Sequence, residues 1–321
     1  MAQHFLLSSA SRTLSLKEIY KAGEQKAYDV FCNLRWPETG GEAVCPKCGC
    51  CDTYDITTRR KFKCKACHSQ FSVTSGTMFA SRKLDFTDLL AAICLFVNGS
   101  KGMSAVQFSR DLNVQYKTAW VLAHKLREAL GKDIHTGEIL DGHVEIDGAY
   151  FGGHIRPNNL KEDRVDRRLK QHQTGTRRVV VALRERLGRT LPFVTTSEAD
   201  GVELAQVYVD RMATMSADEA SHWDMLHAGW ETERVNHSEC YSDHGKHTNW
   251  VESYFSRLRR MVRGQHHFVS PKYLHQYANH AAWLEDNRQN DNGTNAMNLL
   301  SCMLNNQVSR IWAGYWQGAV S

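Results

Sequence analysis

Proline is scarce, with 5 in 321 residues, and the 22 glycines are an ordinary share. A linker-dominated or collagen-like chain is thereby excluded. No apolar run approaches the roughly 20 residues that span a membrane; the longest, Leu89–Val97, stops well short. The first residues lack the basic, apolar, small-residue order of an export signal, so a cytoplasmic protein with no membrane partner is expected. Charge of either sign is in no great excess: 40 Lys+Arg face 35 Asp+Glu, formally +5. What is present is an ordinary folding composition, 42% apolar and 23% charged, long enough for two or three domains.

The distribution of charge says more than its sum. Residues 161–189 hold ten Lys/Arg against four acids, and 253–283 hold five against none. Such blocks are either solvated surface or a track for a polyanion.

Ten cysteines without an export signal argue against a disulfide framework. Four form a pattern, Cys45-Pro-Lys-Cys48 and Cys64-Lys-Ala-Cys67, with fifteen residues between the pairs. Each pair offers two thiolates to one tetrahedral ion, which reads as a zinc ribbon over 44–80. Four thiolates close the coordination sphere, so this zinc is expected to be structural. Cys50 and Cys51 crowd the first knuckle as rivals, whereas Cys32, Cys94, Cys240 and Cys302 show no partner spacing.

Residues 1–43 read as an N-terminal helical segment and 81–135 as three helices. Asp85 is placed to cap the first and Ser104 the second; Asn113-Val114 breaks the chain, and the third runs from about Gln115 to a stop at Gly131. Two short helices around a tight turn are similar to a helix-turn-helix, although any small bundle gives this pattern. On the first reading Gln115, Tyr116, Lys117 and Thr118 open the recognition helix and face DNA.

After Gly142 the pattern changes. The short strand His143-Val144-Glu145-Ile146-Asp147 is expected to end in its acid. Two strands around Gly188 follow, then a helix over 200–212, a weak strand over 212–218, a closing strand at Arg234-Val235, and helices over 247–263 and 271–287. This is the order of a ribonuclease-H-like sheet, in which acids from two strand ends and a helix gather divalent metal. The expected fold class is thus α+β and multidomain: the ribbon and helix-turn-helix segment, a ribonuclease-H-like domain with a mixed sheet over 140–290, and a tail over 291–321.

The segments 144–153 (VEIDGAYFGG), 236–238 (NHS) and 247–264 (HTNWVESYFSRLRRMVRG), with Trp36-Pro37 before the ribbon, resemble the DDE transposases of bacterial insertion sequences. The resemblance is to the group with an N-terminal zinc ribbon and an ISXO2-like catalytic domain, and it covers roughly residues 15–290. It implies a first acid at Asp147, a second at Asp218 and a third at Glu252. Asp200, Asp210 and Asp224 are rivals of Asp218. Asn249 lies one helical turn before Glu252 and shares or takes its place in some members. Arg259 stands where the group usually has Lys. His237, His244 and His247 have no ligand spacing.

The resemblance implies a transposase using Mg²⁺ or Mn²⁺ on Asp147, Asp218 and Glu252, with Zn²⁺ on the four cysteines. It would bind the terminal inverted repeats and target as double-stranded DNA, work as a homodimer or larger assembly, and associate with the nucleoid. Arg177 and Arg178 in the first basic block, and Arg257, Arg260 and Arg263 in the second, would follow phosphates. The alternatives are a DNA-binding regulator that has lost catalysis and a nuclease that cuts without joining.

Overall fold

A computed structural model describes residues 5–135, 137, 139–153, 158–166, 172, 175–235 and 247–317. The chain forms two compact units, one from residues up to 130 together with those from 287 onward, the other from residues 131–286.

In the first unit, α1 (Leu16–Arg35) opens with a capping box between Ser15 and Glu18 and is interrupted at Gly23, where φ is +80°. The Cys-rich segment follows as an antiparallel sheet of β1 (Thr53–Ile56), β2 (Lys61–Cys64) and β3 (Gln70–Phe71). Trp36 stands edge-on to Phe62 and Phe71, with centroids at 5.6 and 6.4 Å, and so supplies the apolar support that three short strands lack. Three helices come next: α2 (Phe86–Asn98), α3 (Ala105–Asp111) and α4 (Tyr116–Ile134). Phe31 packs between Phe79 and Phe86, fastening α1 to α2. The last helix of the chain, α8 (Asn292–Asn305), returns to pack on α1 and α2.

Two helix ends differ from expectation. Asp85 occupies the N-cap of α2 but makes no capping bond. Glu24 of α1 does so instead: its carboxylate accepts from the backbone N–H of Phe86 (3.2 Å) and Thr87 (2.8 Å). One carboxylate with two oxygens satisfies two of the orphan donors at once. Gly131 does not stop its helix, since α4 continues to Ile134. Its missing side chain instead admits Asn279, whose Nδ2 would lie 2.6 Å from a Cβ at this position.

The second unit is built on a five-stranded sheet. Its strands are β4 (His143–Phe151), β5 (Arg178–Glu185), β6 (Thr190–Thr195), β7 (Thr214–Asp218) and β8 (Glu231–Val235), in the order β6-β5-β4-β7-β8. β5 is antiparallel to both neighbours, whereas β7 is parallel to β4 and β8. β5 is buried without interruption from Val179 to Leu183, as expected of a strand covered on both faces. The helices are α5 (Asp200–Tyr208), α6 (Asn249–Met261) and α7 (Leu274–Asp286). α6 buries Val251, Tyr254, Phe255, Leu258 and Met261, one stripe at helical spacing, and packs on β4 and β5.

Asp147 does not end its strand. β4 runs on to Phe151, because residues 148–151 keep pairing with β5. The strand that ends in an acid is β7, at Asp218.

Candidate active site and metal centres

The zinc-ribbon cysteines are drawn together in the first unit. Cys45, Cys48, Cys64 and Cys67 place their sulfurs within 4.8 Å of one another. The Sγ–Sγ separations are 3.6 Å for Cys45–Cys67 and 3.5 Å for Cys48–Cys64. Four sulfurs about 2.3 Å from one zinc stand about 3.8 Å apart, so the donor set fits the ion in kind and size. The Cys67 backbone N–H, 3.4 Å from the Cys64 sulfur, pulls that thiol down to about 6, while the neighbouring sulfurs push Cys48 up to about 12, as thiols sharing protons do when no ion is between them. Cys50 and Cys51 turn to backbone carbonyls of Asp52 and Gly49 and stand outside the set.

The acids of the second unit are assembled by strand register. β4 and β7 pair His143 with Thr214, Val144 with Met215 and Glu145 with Ser216. Continued at that register, Asp147 stands level with Asp218. Their proximity is felt electrostatically. Burial first, then the Asp218 and Glu198 charges, push the Asp147 carboxyl up to about 7, against the Gly148 N–H (2.7 Å) and the Arg259 charge. Asp218 Oδ1 also accepts from Ala220 N–H at 3.1 Å. Of the rivals, Asp200 accepts from Ser197 N–H, Asp210 from Met212 N–H, and exposed Asp224 pairs with Arg234 at 3.2 Å; none of the three is among the charges that raise Asp147.

Helix α6, packed on β4 and β5, carries the remaining candidates. Asn249 is its exposed first residue; Glu252, half-buried in the first turn, accepts from Thr248 Oγ1 at 3.4 Å. Arg259 is exposed, with its guanidinium 5.7 Å from the Phe255 ring centroid. Among the described residues, the acids do not close into a ligand set as the cysteines do.

The residue that fixes α6 is Glu145, fully buried and two positions before Asp147 on the same face of β4. Its Oε2 accepts from the N–H of Trp250 (2.8 Å) and Val251 (3.0 Å), which caps the helix that carries Glu252. Its Oε1 accepts from Arg186 Nε at 3.0 Å and lies 3.0 Å from His247 Nδ1. The sequence offered a signal for this. In His143-Val144-Glu145-Ile146-Asp147, alternation puts Glu145 beside Asp147, and an acid on a buried face needs a partner. Glu198 is the second unforeseen residue, and nothing in its local sequence marks it. It reaches Gly148, His222 and Tyr150 from the turn before α5.

The expected DNA-contacting residues fall into separate groups. Gln115 precedes α4, and Tyr116, Lys117 and Thr118 form its exposed first turn. Lys117 and Thr118 line a cavity of about 560 Å³ within the first unit, together with Arg82, Lys83 and Lys125, and no carboxylate is among its walls. Arg177 stacks on Tyr150 with its guanidinium 3.8 Å from the ring centroid, and Arg178 donates to the Gly175 carbonyl. Arg260 and Arg263 are exposed. Arg257 instead donates at 2.7 Å to Glu285, which is 1% exposed and also receives Ser253 Oγ. The NHS segment, His237, His244 and Cys240 lie outside the described residues.

Two family models match the chain. Residues 139–286 match the ISXO2-like transposase domain, which spans β4 through α7, and residues 22–70 match the transposase zinc-ribbon domain. No curated protein matches it. The chain carries both domains of one class of proteins, the transposases. Within that class it belongs to the insertion-sequence group that joins an N-terminal zinc ribbon to an ISXO2-like domain. The ribbon match and the four-cysteine cluster together support a structural zinc. No helix among the described residues is long and apolar enough to cross a membrane.

Proposed function

We propose that this transposase binds the terminal inverted repeats of its element as double-stranded DNA, cleaves a strand at each end and joins the freed end to target DNA. The observation that carries the reading is the register that sets Asp147 level with Asp218 on adjacent parallel strands, with the Arg259 charge of α6 felt at Asp147. The sheet order β6-β5-β4-β7-β8, with β5 alone antiparallel to its neighbours, supports the reading of a ribonuclease-H-like domain.

The donor set suits a hard divalent cation. Carboxylate oxygens are the ligands Mg²⁺ and Mn²⁺ take, and a bound cation would offset both the burial that chiefly raises Asp147 to about 7 and the charge of Asp218 beside it. Asp147, Asp218 and Glu252 would hold the ions, with Asn249 beside Glu252. When bound, such ions supply Lewis acidity to the attacking oxygen and to the developing phosphorane charge.

The chain's own residues do the rest. Asp147 loses its proton to act as a ligand. Glu145 holds α6 so that Glu252 faces the strands. Arg259 offers its positive charge to the scissile phosphate. At each element end the water oxygen bonds to phosphorus as the P–O3′ bond breaks, leaving a 3′-hydroxyl. That 3′-oxygen then bonds to a target phosphorus as the target P–O3′ bond breaks. Serine and tyrosine nucleophiles have no part in it. The exposed first turn of α4, with the carboxylate-free basic cavity beside it, and the exposed Arg260 and Arg263 would contact DNA; joining two ends calls for a dimer or larger assembly.

The test is strand cleavage and joining on DNA bearing the element's ends, with Mg²⁺ or Mn²⁺, for wild type and for Asp147→Ala, Asp218→Ala and Glu252→Ala. Joining by wild type that all three changes abolish is the expected result. Retained joining in Asp218→Ala would show that another acid serves. Tight end binding with no cleavage by wild type would favour a regulator, and cleavage without joining a nuclease.

A further inference from the structure

The cavity of the first unit combines two features that the outside of a duplex does not call for together. Four cations line it, Arg82, Lys83, Lys117 and Lys125, and no carboxylate is among its described walls. Three aromatic rings, of Trp312, Tyr315 and Trp316, line it as well. Phosphates lie on the outside of a duplex and need only the cations. Paired bases are stacked inside, so a ring in a cavity wall meets the face of a base only when that base has left the stack.

The aromatic wall is fastened to α4. Ser309 Oγ donates to Glu128 at 2.6 Å and accepts from Trp312 N–H at 3.0 Å, which engages the Glu128 carboxylate away from the cavity walls. Trp312 is 1% exposed and lies against His124, with ring centroids at 4.4 Å. Tyr315 stands 4.9 Å from Trp312 and 5.1 Å from Trp316. The series ends in an open ring: Trp316 is 47% exposed, with Lys117 Nζ 5.3 Å from its centroid. An open indole beside a cation is the pair that receives a base and its phosphate.

Lys125 adds a second cation from α4. It is half-buried and donates to the Met78 carbonyl at 2.9 Å. Burial holds its ammonium below the ordinary value, against the Glu128 charge, and an anion in the cavity would favour its charged form. The volume, about 560 Å³, is that of a site for a small ligand.

We infer that this cavity takes one unpaired nucleotide of the bound DNA, with its base on the Tyr315–Trp316 wall and its phosphate among Lys83, Lys117 and Lys125. This rests on the reading of the first turn of α4 as a DNA-binding face. The occupant belongs to a strand, because Lys117 and Thr118 are shared by the cavity and by that exposed turn.

The experiment uses the full-length, zinc-loaded protein and three probes: a short matched duplex, the same duplex with one extra unpaired thymidine, and thymidine monophosphate alone. Fluorescence anisotropy reads the DNA affinities and tryptophan fluorescence the nucleotide. Trp316→Ala removes the open ring, and Val121→Trp fills the cavity from α4 without changing any charge. Exposed Tyr20→Ala on α1 is the control, and circular dichroism checks folding. Wild type is expected to bind the duplex with the unpaired thymidine about 5- to 100-fold more tightly than the matched one. Both cavity variants are expected to bring that ratio close to one while still binding the matched duplex, and Tyr20→Ala keeps the wild-type ratio. A wild-type protein that binds both duplexes equally overturns the inference. So does a preference that either cavity variant keeps, since the base then lies elsewhere. Thymidine monophosphate bound as tightly as the unpaired duplex would assign the cavity to a free nucleotide and overturn it too. If neither duplex binds, the reading of α4 as a DNA-binding face falls, and the inference falls with it.

Discussion

The two candidate metal centres of this chain are built on opposite plans. The cysteine site draws all its ligands from residues 45–67, and its four sulfurs already lie within 4.8 Å of one another. The candidate acid site would draw Asp147, Asp218 and Glu252 from three separate elements, and among the described residues these do not close. The difference follows from what each ion must do. A structural zinc replaces a hydrophobic core that three short strands cannot provide, so its ligands must be preformed and saturating. A catalytic cation must keep positions for water and phosphate, so its ligands are left apart and mutually repelling, held by the scaffold instead of by one another.

The sharpest way to break this comparison is to remove each ion. Cys64→Ser, or zinc stripped by a chelator, is expected to unfold the ribbon over 45–71, since zinc binding of roughly 10–16 kcal/mol is its folding energy. Loss of one zinc equivalent and of the Trp36 environment, read by metal analysis and tryptophan fluorescence, checks this. Removing Mg²⁺ or Mn²⁺ should leave the fold of the second unit intact. A ribbon that keeps its structure without zinc would show that the Trp36–Phe62–Phe71 cluster suffices.

Protonation separates the two sites next. The Asp147 carboxyl sits at about 7 in the folded protein against 3.8 ordinarily, chiefly through burial. Between about pH 4 and 7 the folded state therefore holds a proton that the unfolded chain has released. Stability of the metal-free protein is expected to fall as pH rises through that window, by a few kcal/mol at most. Asp147→Asn removes the slope, raises the melting temperature above pH 7 and abolishes joining. Mn²⁺ affinity should climb with pH up to about 7 and then level off. Melting curves across pH, with and without Mn²⁺, measure both; a melting temperature that Asp147→Asn leaves unchanged at pH 8 would mean that the carboxyl is not raised.

How far each site can be read from sequence follows from the same contrast. The cysteines are legible because both knuckles are local, and their spacing in the chain is nearly their geometry in space. Asp147 and Asp218 lie 71 residues apart in numbering, and only the β4–β7 register makes them neighbours. The apolar pattern around Asp147 reads as a strand ending in its acid, yet pairing with β5 carries the strand past Gly148 to Phe151. Gly131 was expected to end α4, but there the small residue serves a tertiary contact with Asn279. Arg257 reads as a phosphate ligand by its charge alone, and only the buried Glu285 on another helix shows where that charge is used. Glu198 is invisible in sequence because its partners come from β4 and from the segment after β7.

The smallest effect concerns two glutamates that cap helices from a distance, one in each unit. Glu24 caps α2 while 31% exposed and paired with Arg60 at 2.6 Å; Glu145 caps α6 while fully buried, with Arg186. Burial alone would raise Glu24, but the N–H groups of Thr87 and Phe86 hold it below its usual 4.5, so its contribution is present above that pH and lost as the pH falls below it. Solvent screens Glu24, and Glu24→Gln is expected to cost about 1 kcal/mol or less. Glu145→Gln removes charge-assisted bonds from a fully buried carboxylate, so about 2 to 3 kcal/mol is expected. It should also lower the rate of joining at saturating DNA more than it lowers DNA affinity, because Glu252 lies in the first turn of α6, which Glu145 caps, whereas Arg260 and Arg263 lie at and beyond its far end. Denaturation midpoints rank the pair, and single-turnover joining separates a displaced helix from a merely weaker fold. Equal stability losses in the two variants would mean that burial does not set the strength of these caps.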